Sequence, residues 1–160
     1  CDVDLLRVVK HRDKLVGIYR EKLDEKRKID VYEDYREVLD REDVDLVTIG
    51  TPDHAHAHIA VAAAKAKTDI HVQKPLTNSI EDGKKLVKAV RENGVVLQVG
   101  SQQRSDARFQ LARKLVQEGA LGKIQTIEVV VPSDVVTADA TPTAVPKTLD
   151  YDKWLGPAPL

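Results

Sequence analysis

Residues 46–73 carry the sequence pattern of a strand, a turn, a helix and a second strand, in that order. Leu46–Ile49 is a short β-branched run typical of a buried strand, and Gly50–Asp53 after it is typical of a turn. Ala55–Ala66 is mostly alanine, isoleucine and valine, which favours a helix because the run is too long for a strand. Asp69–Gln73 again predicts a strand. Two such strands joined by a helix form a parallel βαβ unit with a right-handed crossover.

The turns that follow these two strands are where a ligand is expected. In open parallel sheets, ligands bind outside the carboxyl ends of the strands. Thr51 and Pro52 lie in the first turn, and Gln73, Lys74 and Pro75 form the second. Both turns therefore lie at one edge of the predicted sheet, and binding or catalytic groups are expected there.

Apolar periodicity and capping residues predict the other elements. Helices are expected over Leu5–Lys28, Tyr35–Arg41, from a cap at Thr77 or Ser79 to about Glu92, and over Phe109–Glu118, with strands over Ile29–Tyr32, Val95–Gly100 and Ile124–Val131. Ser101–Ser105 is predicted to be a polar loop, and the segment from Pro132 an irregular connection.

These elements predict an α/β fold with a doubly wound, Rossmann-type parallel sheet. Cys1–Asp4 is interpreted as the tail of a strand already under way, so the sheet is expected to lack its first strand. We expect residues 1–120 to form a partial dinucleotide-binding domain and residues 121–160 to begin a C-terminal α/β domain.

Composition excludes several classes of function. With 25 basic and 26 acidic side chains, the chain is unsuited to nucleic acid or a membrane surface as its main partner. It contains no apolar run of membrane-spanning length and no signal-peptide pattern. A cytoplasmic location is expected, with an exported parent that has lost its leader as the alternative. A single cysteine excludes an intrachain disulfide. The absence of methionine predicts that the chain is a fragment.

Asp2 is a candidate for binding the adenosine ribose of a dinucleotide. An acid at the end of the second strand of such a fold accepts hydrogen bonds from the ribose hydroxyls, and its charge repels a 2′-phosphate. This position favours NAD over NADP. A turn-forming role is the alternative for Asp2, and Asp4 is a rival acid that fits the N-cap of the first helix. Arg7 would weaken the discrimination against a phosphate.

The histidines do not form a convincing metal site. Of His54, His56, His58 and His71, only His54 and His58 share a helical face. No cysteine or carboxylate close in sequence completes the set, apart from Asp53. The sequence therefore predicts no metal, and a metal-dependent hydrolase remains a minor alternative.

Four motifs occur in order along the chain: Thr51–His56, Gln73–Leu76, Val99–Ser105 and Trp154–Pro159. In this order and spacing they resemble the motifs of the Gfo/Idh/MocA oxidoreductase family. The resemblance implies a Rossmann domain followed by a C-terminal α/β domain with a large open sheet. It also implies hydride transfer between a nicotinamide, expected to be NAD, and a carbon of a sugar, polyol or cyclitol.

The resemblance assigns roles to residues of the two turns. Thr51 and Pro52 look like the turn that passes under the nicotinamide half of the cofactor, and His56 resembles the family's histidine of that turn. Lys74 looks like the lysine that reaches both substrate and nicotinamide ribose, and is the expected catalytic residue. Gln73 stands where the family usually has glutamate, so it can bind a ribose hydroxyl only as a neutral amide.

The resemblance also assigns roles to three residues outside the two turns, and this sequence lacks two features of the family. Asp2 looks like the family's ribose-binding acid, and Gln103 and Arg104 resemble residues of the loop that lines the substrate cleft, with solvated loop residues as the alternative. The glycine-rich phosphate loop is absent, and the family's catalytic Asp/His pair would lie beyond Leu160. We therefore expect a fragment that is inactive alone, from a homo-oligomeric parent. A non-catalytic member that binds nucleotide or sugar is the main alternative.

Overall fold

A three-stranded parallel sheet forms the centre of the computed structural model, which describes residues 1–23, 28–130 and 141–157. The strands are β1 (Leu46–Ile49), β2 (Asp69–Gln73) and β3 (Leu97–Gly100), in the order β1-β2-β3. Ile49 pairs with Val72, and Gln73 pairs with Gly100, so all three strands end at one edge. The βαβ unit predicted from the sequence is confirmed, and β2 is its middle strand.

Helices connect and follow these strands. They are α1 (Leu5–Leu23), α2 (Tyr35–Leu39), α3 (Asp53–Lys65), α4 (Ile80–Asn93), α5 (Ala107–Gln117) and α6 (Tyr151–Leu155). The chain divides into two compact units, one comprising Cys1–Gly100 with Val145–Leu160 and the other Ser101–Ala144. The first unit contains the sheet and every helix except α5.

The core is built from an alanine-lined helix face against the sheet. Ala60, Ala63 and Ala64 of α3 are fully buried and cluster with Ile70 and Val72 of β2. Alanine lets a helix backbone lie close to a sheet and loses no rotamer freedom on burial. This packing fixes the start of α3 beside the carboxyl edge of the sheet.

Local capping signals give the boundaries of α4. The hydroxyl of Ser79 accepts a hydrogen bond from the backbone N–H of Asp82 at 3.1 Å and donates one to the Asp82 carboxylate at 2.8 Å. Gly94 ends the helix in the left-handed region, with φ 68°. Asp34 caps α2 in the same way, accepting from the N–H of Arg36 at 2.9 Å. The cap predicted at Thr77 or Ser79 is confirmed at Ser79, and each of these caps depends on residues close in sequence.

Three predicted strands are wrong or incomplete. Cys1–Asp4 makes only an isolated antiparallel bridge from Asp4 to Leu149, and Ile29–Tyr32 is irregular. Residues 124–130 are irregular and exposed, while Val131 and the segment 132–140 lie outside the described residues. A strand requires a neighbour for its backbone groups, and residues 124–130 have no pairing strand in the part of the chain that the structure describes. The alternation of apolar and polar residues in this segment predicts a strand, but it does not indicate which strand would pair with it.

Other differences are smaller. The polar loop after β3 contains a single 3-10 turn, Gln102–Ser105. Helix α6 near the end of the chain was not expected from the sequence; Asp150 caps it by accepting from the N–H of Lys153 at 3.1 Å. Among the helices in the described ranges, none combines the length and apolar character needed to cross a bilayer.

Candidate functional site

Gln73 ends the middle strand between two glycines. Gly50 follows β1 and Gly100 ends β3, so a glycine flanks Gln73 on each neighbouring strand. A Cβ placed on Gly100 would lie only 2.9 Å from Oε1 of Gln73, whereas one on Gly50 would lie 4.0 Å from its Cγ. The Gln73 side chain therefore occupies space that a side chain at Gly100 would fill. An exposed amide on a nearly bare backbone edge can hydrogen-bond a ligand that lies close to the strand ends.

Lys74 extends from the next position. Its side chain is exposed and makes no hydrogen bond or ion pair within the described ranges, and the Lys74–Pro75 peptide bond is cis. Several other lysines of the described residues form surface ion pairs, as Lys85 does with Asp82 at 3.3 Å. The ammonium of Lys74 thus keeps its donors available at the carboxyl edge of the sheet.

His56 lies beneath both turns. Only 1% of its surface is exposed. Its Nδ1 lies 2.7 Å from the carbonyl oxygen of Pro75, and its Nε2 lies 2.9 Å from the carbonyl oxygen of Thr51. The structure therefore brings the two predicted turns together through one imidazole ring. Whether His56 also contacts the cofactor, as the sequence predicts, stays a prediction.

Thr51 and Pro52 form the connection from β1 into α3. Both residues are exposed, and the Pro52 carbonyl accepts a hydrogen bond from the N–H of Ala55 at 2.9 Å, in the first turn of the helix. The N-terminus of α3 consequently points its free N–H groups and its positive dipole end toward this edge of the sheet. Such an end favours a negatively charged ligand group.

Asp2 lies in a turn before α1. Its Oδ1 accepts a hydrogen bond from the N–H of Asp4 at 3.0 Å, and its own N–H donates to the Tyr32 carbonyl at 3.2 Å. Asp4 is the N-cap of α1, since its Oδ1 accepts from the N–H of Leu6 at 3.1 Å and of Arg7 at 3.3 Å. Within the described ranges, Oδ2 of Asp2 has no hydrogen-bond donor and can accept from a ligand.

Gln103 and Arg104 belong to the second compact unit. Both are exposed residues of the 3-10 turn, in which the N–H of Arg104 donates to the Ser101 carbonyl at 3.0 Å. The Gln103 carbonyl accepts from the N–H of Asp106, which in turn caps α5. Their assignment to the substrate cleft stays a prediction.

The other histidines of α3 contact residues near the end of the chain and in α2. Nε2 of His54 lies 2.7 Å from the Trp154 carbonyl, and its ring contacts the indole edge to face at 5.5 Å. The ring centroids of His58 and Tyr35 are 5.9 Å apart. His58 also lies next to Gly156, where an added Cβ would be 3.5 Å from Cε1 of His58. Within the described ranges, no group of three or more histidines, cysteines or carboxylates is arranged to hold a metal ion.

Burial changes the pKa of one of these two histidines, His58. Desolvation lowers the pKa of His58, and the positive charges of Arg36 and His54 act in the same direction. The buried Nδ1 of His58 has no hydrogen-bond partner of ordinary geometry within the described ranges. The sequence spacing of His54 and His58 marked this shared face, but not that α6 covers it.

The described residues fit part of a nicotinamide dinucleotide. Gln73 offers an exposed amide beside Gly100, and Lys74 offers a free ammonium. Asp2 offers one free carboxylate oxygen. These donors and acceptors match ribose hydroxyls and an uncharged ring carboxamide. The glycine-rich turn that would hold a pyrophosphate is not in this sequence.

A parallel sheet with crossover helices and polar groups at its carboxyl edge is the architecture of an α/β protein that binds ligands at that edge. Residues 6–101, more than half of the chain, match the oxidoreductase family described as having an NAD-binding Rossmann fold. The chain belongs to this family, the Gfo/Idh/MocA oxidoreductases, as its motifs predicted. The α/β, Rossmann-type fold and the expectation of an NAD cofactor agree with the family's description.

Relatives of known activity are similar to the same region. The chain is 38% identical over 91 residues to scyllo-inositol 2-dehydrogenase (NAD(+)) of Bacillus subtilis, a match to 57% of this chain and 27% of that enzyme. It is 40% identical over 91 residues to levoglucosan dehydrogenase of Pseudarthrobacter phenanthrenivorans, covering 57% and 23% of the two chains.

A solved structure of levoglucosan dehydrogenase with NADH and levoglucosan is also similar. Its TM-score is 0.54 at 33% identity, covering 69% of this chain and 29% of that one. The chain therefore spans about a quarter of the length of the curated relatives it matches.

Proposed function

We propose that this chain is the cofactor-binding part of a nicotinamide-dependent oxidoreductase that acts on a sugar, polyol or cyclitol. The observation that carries the proposal is the free ammonium of Lys74, directly after the central strand of an NAD-binding Rossmann sheet. The dehydrogenases of scyllo-inositol and levoglucosan support the substrate class, because both are similar to this chain. A non-catalytic sugar- or nucleotide-binding member is the second candidate, favoured by the uncharged Gln73.

Lys74 is proposed to act on the reacting oxygen. NAD, when bound, supplies the ring that accepts or returns a hydride. The Lys74 ammonium donates a hydrogen bond to the substrate hydroxyl that is oxidised and stabilises the negative charge that develops on its oxygen. The hydroxyl proton passes to a base outside this chain. Gln73 accepts or donates a hydrogen bond at a ribose hydroxyl, and Thr51 and Pro52 support the cofactor from the other turn.

The remaining assignments rest on the same resemblance. Residues 1–120 are proposed to form the cofactor domain and residues 121–160 to begin the substrate domain. Gln103 and Arg104 are proposed to belong to the loop that lines the substrate cleft. The limited share of each relative that the chain covers supports the view that activity belongs to a longer protein. That this protein is a homo-oligomer is part of the proposal. We place that protein in the cytoplasm.

Replacing Lys74 tests the proposal. In the full-length protein, Lys74→Met keeps most of the stem and removes the charge, so turnover of an inositol or anhydrosugar with NAD should fall about a hundredfold or more. The melting temperature should change little, because Lys74 is exposed and unpaired within the described ranges. Lys65→Met is the matched control, because Lys65 is also exposed and lies at the end of α3. Turnover within about threefold of the wild type would favour the non-catalytic candidate.

Asp2 is proposed to select NAD. Its free carboxylate oxygen accepts from the adenosine ribose, and its charge repels the extra phosphate of NADP. Asp2→Ala in the full-length protein removes both effects, and a hydrogen bond to a charged group contributes about 1.5–3 kcal/mol. The preference for NAD should therefore shrink by about one to two decades in the ratio of dissociation constants. A wild-type preference for NADP would contradict the assignment.

A further inference from the structure

The buried ring of His56 joins the two turns that carry the site. It bridges the carbonyl of Thr51, in the turn after β1, and the carbonyl of Pro75, in the turn after β2, at 2.9 and 2.7 Å. The second of these carbonyls follows Lys74 by one residue. One side chain thus contacts the backbone of both turns.

The ring has no polar atom left for a ligand. Both nitrogens face carbonyl oxygens, and 1% of the residue is exposed. A carbonyl oxygen can only accept, so the neutral ring donates its single N–H to one turn, and the doubly protonated ring donates to both. In either form, the effect of His56 on a bound molecule must pass through the turns.

The surroundings of His56 keep the ring in place. Its neighbour Ala55 is buried, and Ala60, one helical turn later, is fully buried against the sheet. A buried polar side chain that loses its partners becomes costly, so the ring and the two carbonyls are ordered together. The position of the Pro75 carbonyl, and with it the backbone of Lys74, is therefore tied to the rigid start of α3.

We propose that His56 is a positioning residue for Lys74. It holds the Gln73–Pro75 turn against the Thr51 turn, so that the Lys74 ammonium is presented to the substrate oxygen in one orientation. This inference rests on the proposed function of Lys74. It gives His56 an indirect role in place of direct cofactor contact.

A double-mutant cycle in the full-length protein tests the proposal. His56→Phe keeps a buried aromatic ring and removes both ring nitrogens, and should lower kcat about tenfold or more while the KM for NAD changes less. If His56 acts through Lys74, the double variant His56→Phe/Lys74→Met should be no worse than Lys74→Met alone, within about threefold. Additive losses would overturn the inference, because a general structural defect multiplies with the loss of Lys74.

His54→Phe is the matched control. It makes the same replacement on the same helix and removes a hydrogen bond to the Trp154 carbonyl instead of to the turns. Its kcat should stay within about twofold of the wild type even where its melting temperature falls. His56→Gln retains one donor and should recover part of the activity that His56→Phe loses. A His54→Phe loss equal to that of His56→Phe would overturn the inference.

Hydrogen exchange supplies a readout independent of activity. In the full-length protein, peptides that cover residues 73–79 should exchange faster in His56→Phe than in His54→Phe. Unchanged exchange there would overturn the proposed hold on the turn. A silent Lys74→Met would instead defeat the proposed function, and the two failures are distinguishable because the exchange measurement does not involve substrate.

Discussion

Gly100 is a small residue with a large effect on the space around Gln73. A methyl group added there would meet Oε1, Cδ and Cα of Gln73 at 2.9, 3.1 and 3.3 Å. The amide end can rotate away, but the Cα belongs to the middle strand and cannot move far. The observed conformation of Gln73 therefore depends on the absence of a side chain at Gly100.

Gly100→Ala should displace the Gln73 amide and destabilise the protein by about 1 kcal/mol or more through overpacking. Gly50→Ala is the control, because its new methyl meets only Cγ of Gln73 at 4.0 Å. It should be neutral or slightly stabilising. Urea unfolding of the two variants gives the comparison, and Gln73→Ala should relieve part of the Gly100→Ala loss. Equal effects of the two alanines would contradict this account.

The roles of single residues were only partly predictable from the sequence. Gln73 and Lys74 stand at a strand end, which is a local property that the apolar run before them predicts. The contact of Gln73 with Gly100 depends on the register of two strands separated by 23 residues in sequence. Likewise, nothing local to His56 indicates that its ring reaches a carbonyl 19 residues away.

At the scale of elements, α3 carries two different histidine faces. His56 turns toward the sheet edge, whereas His54 and His58 lie against α6 and α2. The short helix α6 has no buried residue of its own, so these contacts and its Asp150 cap hold it in place. The sequence showed the histidine spacing, but a five-residue helix has too little periodicity to be recognised.

His58 should make stability depend on pH. Desolvation and the charge of Arg36 lower its pKa in the folded state, so the folded protein binds a proton less readily than the unfolded chain. The stability that neutral His58 contributes is complete above the ordinary histidine pKa of about 6.5 and is lost as pH falls through the lower folded value. The melting temperature should fall on acidification across this range.

His58→Phe should flatten that part of the pH profile, because an uncharged ring can pack against Tyr35 at every pH. Thermal unfolding between about pH 7.5 and 5 measures the slope. His11→Phe, at an exposed position of α1, is the control and should leave the profile unchanged. A wild-type slope retained in His58→Phe would assign the acid sensitivity to other groups.

At the scale of the whole molecule, the sequence predicts best those elements that depend on interactions between residues close in sequence. The unit β1-α3-β2-α4-β3 follows from apolar runs, glycine and proline punctuation and helix caps, and it coincides with most of the family match over residues 6–101. The strands expected at Cys1–Asp4 and Ile124–Val131 depend on partners that local pattern cannot supply. Alternating apolar and polar residues indicate which side of a strand would be buried. They do not indicate a neighbouring strand with which to form backbone hydrogen bonds.

The alanine face of α3 has a consequence for how this chain can vary during evolution. Ala60, Ala63 and Ala64 have no exposed surface, so any larger side chain there would lift the helix from the sheet. Ala60 lies one turn from His56, and a lifted helix would carry the imidazole away from both turns. Substitutions on the buried side of α3 would thus affect the proposed catalytic turns without touching them. Substitutions of Ile80 in α4 would not, because that side chain is largely exposed.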